Sequence, residues 1–310
     1  MSENPRSPSF ALRAYRLVNR PYYVFRPAQL LVRLRASTPA DGSQHAVRTA
    51  WGSQLYCWPD SLGLAVARNG VYDLVVAETL ARLADPGETV VDAGANVGLM
   101  TNLLAHAVGG GGRVICFEPH PLIQRTLARN VELLARDGLD VVELHRAAVS
   151  CMRDTLPLSI DPETFAYNKG TASLQAAGSG SSTDVQTVRL EDELPGAVGV
   201  LKLDVEMHER EALEGARSLL QRKAIRDIVF EEHEPPPTPV TELLESYGYA
   251  ILGVRQGLAG PIVSAPGEAY RRQMWDPPAL LATIDPERAR RRLKRRGWLC
   301  LRRGLGRRGG

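Results

Sequence analysis

Asp92, Gly94, Asn96 and Gly98 occupy every second position of VVDAGANVGLM, residues 90–100. An apolar run ends there at a carboxylate and two glycines and then turns amphipathic. A glycine at such a turn puts no Cβ in the way of a ligand approaching the backbone. The first N–H groups of a following helix lack intrahelical partners and can donate to that ligand. A second acid, Glu118, ends the apolar run RVICFEP. A carboxylate at a strand end can accept hydrogen bonds from both hydroxyls of a ribose. Two further runs end in acids and imidazoles: Asp204, Glu206, His208 and Glu209 after VLKL, and Glu231, Glu232, His233 and Glu234 after DIVF. Imidazole titrates near neutrality, so His208 and His233 are candidate general bases, with Asp204 orienting the reacting groups. Carboxylates mixed with imidazoles also raise the question of a divalent cation. No spacing here is diagnostic of one, and the expected chemistry is metal-independent.

These groups must be positioned by alternating strands and helices. ETVVDA, RVICFEP, VVELHRAAV, GVLKLDV and RDIVFEE read as strands, and the segments between them have helical periodicity. YAILGV and GPIVSA read as a closing antiparallel hairpin. Such alternation implies an α/β fold with a mostly parallel sheet covered by helices on both faces. Ligands of open sheets of this kind sit beyond the carboxyl ends of the strands. The loops ending at 94, 119, 148, 205 and 232 should then share one edge. Before the alternation, residues 1–70 form an N-terminal extension in which SQLYCWP and GLAVARNG read as a strand pair. Residues 150–190 interrupt it with a polar loop, ETFAYNKGTASLQAAGSGSSTD, which reads either as a lid over the cofactor or as a surface loop without contact to ligand.

Which ligand the first turn receives can be narrowed. The dinucleotide fingerprint G-x-G-x-x-G aligned at Gly94 requires glycine at 96 and 99, where this chain has Asn96 and Leu99. No Gly-Lys-Ser/Thr of a P-loop follows either. A strand-end D-x-G-x-N-x-G turn with an acid on the next strand suits S-adenosyl-L-methionine, which carries no pyrophosphate. Asp92, Gly94, Asn96, Gly98 and Glu118 are its expected binding residues.

Three blocks, VVDAGANVGLMT, RVICFEPHPLIQRTLARNVEL and VLKLDVEMHEREALEGARSLL, with VFEEHEP at the next strand end, resemble the FkbM family of S-adenosylmethionine-dependent methyltransferases. The resemblance covers roughly residues 70–255. It implies a Rossmann-like class I methyltransferase fold with a seven-stranded sheet and transfer to an oxygen. The implied acceptor is a small-molecule, glycan or lipid hydroxyl on a sugar, lipid or secondary metabolite. The alternative is a nucleic-acid methyltransferase. One position departs from the family pattern: Met207 stands where glycine is usual, and is expected to crowd the turn after Glu206. In this reading residues 71–275 form the methyltransferase domain.

The chain has 310 residues, 44% hydrophobic and 24% charged, enough to bury a core, and a formal net charge of only +3. That charge is uneven: eleven arginines and lysines lie from Arg288 onward. Residues 276–310 therefore read as a flexible basic tail, whose segment 288–308 is suited to an anionic membrane surface or a nucleic acid. Trp298, Leu299 and Leu301 would give that tail an apolar spot. Four scattered cysteines, Cys57, Cys116, Cys151 and Cys300, read as free thiols, and MSENPRSPSF lacks an apolar leader core. The expected location is cytoplasmic, or peripheral at the membrane.

Overall fold

The computed structural model describes residues 20–35, 42–174, 181–194, 196–232, 234–271 and 278–305. Helices α1 (Pro21–Phe25) and α2 (Ala28–Arg35) come first, then the antiparallel ribbon β1 (His45–Arg48) and β2 (Gln54–Cys57). The ribbon's second strand precedes the segment expected to supply it. GLAVARNG instead lies in helix α3 (Ser61–Asn69). Its ends explain why: Asp60 accepts from the Gly63 amide at 3.0 Å, and Gly70 closes the helix with φ 81°. Helix α4 (Leu74–Leu83) starts at Asp73, whose carboxylate caps Val76 N–H at 3.1 Å.

The alternation then proceeds as β3 (Thr89–Ala93), α5 (Leu99–Val108), β4 (Arg113–Phe117), α6 (Pro121–Arg136) and β5 (Val142–His145). VVELHRAAV breaks after β5, and its end, β6 (Ala148–Val149), leaves the main sheet. With β7 (Asp154–Ile160) and β8 (Ser181–Val188) it forms a separate three-stranded sheet in the order β6-β8-β7. The expected loop is thus an arm with pairing of its own, which carries helix α7 (Pro162–Tyr167) and a 3₁₀ turn at Lys169–Thr171. Helix α8 (Leu190–Glu193) leads to β9 (Val198–Leu203). The helix expected over EREALEGARSLLQRK is two, α9 (Glu209–Glu214) and α10 (Arg217–Gln221). At the break between them, a Cβ on Gly215 would lie 2.0 Å from the carbonyl oxygen of Ser150. There follow β10 (Ile225–Phe230), α11 (Pro239–Ser246), β11 (Ala250–Gly257), β12 (Gly260–Ser264), α12 (Pro266–Arg271), β13 (Ala279–Thr283) and α13 (Pro286–Leu293).

The main sheet has eight strands in the order β12-β11-β13-β10-β9-β3-β4-β5. Strands β5, β4, β3, β9 and β10 are parallel, β13 is antiparallel to both its neighbours, and β11–β12 is the expected hairpin. The expected seven strands become eight because β13 comes from the segment read as a flexible tail. That segment is built in: all five residues of β13 are buried, and Trp298 and Cys300 are fully buried. Trp298 and Leu301 are buried in the protein, and Leu299 is half-buried against the core, so they do not form the expected apolar spot of a free tail. Successive residues of a strand serve opposite faces. Val90 and Val200 join the core under α4 and α5, whereas Val91 and Leu201 join the core under α9, α10 and α11.

Candidate functional site: an acid-rimmed cavity at the strand ends

Gly94, Glu118, Ala147, Asp204 and Glu231 line one cavity, which encloses about 1160 Å³ of non-atom space including its mouth. They come from the ends of β3, β4, β5, β9 and β10, so the loops expected on one sheet edge meet there. The arm contributes Asn168, Lys169, Gly170, Ala172 and Leu174. Ser173 Oγ donates to the carbonyl oxygen of Glu206 at 2.7 Å and ties the arm to the loop after β9.

The β3 turn is held from within. The amides of Gly94 and Ala95 both donate to Phe117 O, at 3.0 and 2.9 Å, and Gly98 N donates to Ala95 O at 2.8 Å. Asn96 has φ 50°, and its side-chain oxygen accepts from Val97 N at 2.7 Å. Gly94 has φ 76°, and a Cβ there would lie 1.8 Å from the carbonyl oxygen of Asp204. Glycine is required because β9 crowds the turn, a different reason from ligand access. Gly98, with φ 89°, lies outside the cavity lining, and a Cβ there would meet Leu127 Cδ1 at 2.6 Å. Asp92 is also outside it, fully buried, accepting from Thr101 Oγ1 at 2.6 Å. Of the five expected cofactor residues, Gly94, Asn96 and Glu118 therefore reach the cavity, and Asp92 and Gly98 support them.

Glu118 is 6% exposed, with one oxygen accepting from Asn96 N at 2.9 Å and the other from His120 N at 2.8 Å. Burial raises its pKa to about 7, against the pull of these two amides. Each oxygen keeps accepting capacity toward the cavity. The neighbouring lining is apolar, with Pro119, Ile123, Ala147 and Ala148, and the far part is rich in carboxylates. A diol acceptor beside an apolar wall and an anionic end suits the ribose, base and sulfonium of S-adenosylmethionine, so the donor set fits that cofactor.

At the carboxylate end a buried cation, unforeseen among the expected site residues, organises the site. Lys202 stands opposite Asp92 in the β3–β9 register. Its Nζ lies 2.8 Å from Gly94 O, 3.1 Å from Asp204 and 3.5 Å from Asp92. Although burial alone would lower its pKa, the charges of Asp204 and Asp92 hold it above the ordinary lysine value. Alternation could have found it, since residues 202 and 204 point to the same side of the strand. Glu231, bonded to Asp73, is raised to about 10 by that hydrogen bond and the adjacent negative charge. Glu206 is raised to about 8 by burial and by the charges of Asp204 and Glu209. Tyr72 and Asp73, from the segment before α4, complete this end.

His208 lines the cavity, but its ring is engaged: Nε2 lies 2.9 Å from Ser150 Oγ and Nδ1 3.6 Å from Glu211. Burial lowers its pKa. His233 lies outside the described residues. Met207 has φ 69° and a 57%-exposed side chain outside the cavity lining, so it loads the backbone and does not crowd the mouth. Among the described residues no three His, Cys, Asp or Glu side chains group so as to hold a metal ion.

Over 201 residues, 56% of this chain and 76% of the other, the sequence is 26% identical to the 31-O-demethyl-FK506 methyltransferase FkbM of Streptomyces tacrolimicus. The fold is similar to that of a methyltransferase FkbM from Methylobacillus flagellatus, with TM-score 0.41 and 14% identity, covering 86% of this chain and 62% of that one. It is also similar to an S-adenosylmethionine-dependent O-methyltransferase from Thermotoga maritima, with TM-score 0.39, 15% identity and 77% of each chain covered. Residues 92–251, just over half of the chain, match the methyltransferase FkbM domain, and the chain belongs to that family of S-adenosylmethionine-dependent methyltransferases.

Proposed function

We propose that this methyltransferase methylates a hydroxyl oxygen on a sugar, lipid or secondary metabolite. The observation that carries the reading is the cluster of Tyr72, Asp73, Asp204, Glu206 and Glu231 around Lys202 at the carboxylate end of the cavity. When bound, S-adenosylmethionine supplies an electrophilic methyl group. The protein's part is to hold an alcohol in line and take its proton, because an alcohol is a weak nucleophile until that proton leaves. Asp204, fixed by Lys202, accepts a hydrogen bond from a hydroxyl of the acceptor and orients it. Glu206, with a pKa of about 8, takes the proton of the reacting hydroxyl. His208, tied to Ser150 and Glu211, positions the loop after β9. The name of the Streptomyces tacrolimicus relative describes transfer to an oxygen, in line with this reading. The acid-rimmed mouth disfavours a polyphosphate acceptor, and so disfavours nucleic acid.

Labelled cofactor offered with separate panels of glycans, lipids, polyketides and RNA tests the reading. A methyl ether on a hydroxyl acceptor is the expected product, and exclusive labelling of RNA would overturn it. With the acceptor in hand, Glu206→Gln should lower turnover by roughly 10²–10⁴-fold, the usual yield of a general base. His208→Ala should cost less than about tenfold on that scale. The reverse order, with cofactor affinity intact, would return the base role to the histidine. Activity should survive chelation, and its loss with recovery on adding Mg²⁺ would reassign Asp204 and Glu231 as ligands.

A further inference from the structure

A second groove, sharing no residue with the cavity, is lined by Arg82, Arg292, Arg295, Arg296, Arg302 and Leu299. It forms where the segment after α13 crosses α4. Two of its arginines are spent inside the protein. Arg82 pairs with buried Glu78 at 2.5 Å and donates to Gly297 O at 2.6 Å, and Arg292 pairs with Asp85 at 2.5 Å. Glu78 also accepts from the amides of Leu299 and Cys300, at 2.8 and 2.9 Å. With Trp298, Cys300 and Leu301 buried, these bonds fix the segment as a rigid support. The side chains of Arg295, Arg296, Arg302 and Arg303 stand exposed on it and enter no hydrogen bond or ion pair among the described residues. Cations fixed close together without counter-ions repel one another, and an anionic surface relieves that repulsion.

Exposed apolar side chains border this charge. A Cβ on Gly297 would lie 3.0 Å from Arg302 Nη2 and 3.9 Å from Phe25 Cε1, so the end of α1 adjoins the arginines. Burial, and after it the charge of Arg303, lowers the pKa of Arg26, the residue after α1. Phe25 is 40% exposed and Val24 50%, and α2 continues with Leu31 at 57% and Val32 at 45%. Leu258, at the β11–β12 turn, is 40% exposed and accepts through its carbonyl from Trp298 Nε1 at 3.3 Å. Large apolar side chains beside arginines that have no partner among the described residues form the pattern of an interfacial anchor, in which the apolar groups enter the boundary below the headgroups. Nucleic acid would use the arginines alone and leave the apolar rim without a partner.

We propose that this face docks on an anionic membrane surface. Lipid phosphates sit against Arg295, Arg296, Arg302 and Arg303, and Phe25, Val24 and Leu31 enter the headgroup boundary. The test is co-sedimentation of the full chain with vesicles of phosphatidylcholine alone and of equimolar phosphatidylcholine and phosphatidylglycerol. Binding should require phosphatidylglycerol and weaken with salt. The triple variant Arg295→Gln, Arg296→Gln, Arg302→Gln should bind on the order of 100-fold more weakly, at about 1 kcal/mol per basic residue near the surface. Phe25→Ser with Leu31→Ser should weaken it on the order of tenfold, and arginine-to-lysine replacement should largely preserve it. Calorimetry with S-adenosylhomocysteine, expected unchanged in every variant, reports that the fold is intact. Equal binding to both vesicle types, or unchanged binding of the triple variant, would overturn the proposal. So would an RNA duplex binding through these arginines while the vesicles do not.

Discussion

Glu118 shows how one residue joins binding to pH. Its carboxylate is already anchored by two backbone amides, so its remaining capacity is directed at the cavity. Glu118→Ala should weaken S-adenosylhomocysteine binding by roughly 1–3 kcal/mol, the cost of unpairing the ribose hydroxyls, as calorimetry would measure. Because its pKa stands at about 7, cofactor affinity should rise as pH increases through that value, with proton release on binding. A flat profile between pH 6 and 8 would refute the assignment. The opposite linkage governs Glu231. The hydrogen bond to Asp73 and that neighbour's charge hold its pKa in the folded protein well above the unfolded value, so its contribution to stability is complete at low pH and is lost as pH rises. Thermal melts of Glu231→Gln should fall less steeply between pH 5 and 9 than those of the native chain. Met207→Gly should raise stability by about 1 kcal/mol, since φ 69° suits glycine.

At the scale of elements, the contact between two strand ends explains why the turn after β3 demands glycine. Gly94→Ala places a methyl group against the backbone of β9, which cannot yield as a side chain could. Its cost should exceed about 1–3 kcal/mol, the usual strain of a forced backbone, and urea denaturation would measure it. Cofactor binding should fall with it, because the same turn presents Asn96 N–H to Glu118. The arm β6–β8 is legible only in its composition. Its residues 150–190 read as loop because β8 is polar at most positions, Pro157 interrupts β7, and their pairing with each other is non-local. Asn168 and Gly170 still reach the cavity, as the polar run containing them suggested.

For the whole molecule, the C-terminal segment decides whether the domain closes. A flexible basic tail could be removed without consequence. Here β13 lies between β10 and β11, so truncation after residue 277 should leave two unpaired strand edges and yield aggregated protein. Soluble, cofactor-binding protein after that truncation would contradict the topology. Trp298→Ala should cost about 3–5 kcal/mol, the usual penalty for emptying a buried tryptophan site. The arginines that crowd the C-terminal segment divide by the same packing. Arg288 pairs with Asp227 at 3.0 Å and Asp85 at 2.7 Å, whereas the arginines at 295, 296, 302 and 303 have no ion pair among the described residues.

The alternation of strands and helices, the family blocks and the position of Glu118 were determined by local sequence, because period-two and period-3.6 patterns and strand-end acids are written in consecutive residues. That is why the parallel core and the cofactor edge were legible without coordinates. Which acids face the cavity was decided by tertiary structure. Asp92 turns away to Thr101 and Lys202, while Asp73, from before the first core strand, arrives beside Glu231. The same holds for ALLAT, five residues too short and too ordinary to announce a central strand, and for the tail whose Trp298, Cys300 and Leu301 are buried in the core. Long-range packing selects among partners that sequence leaves equivalent, and only the folded chain brings residues 85, 227 and 288 close enough to choose.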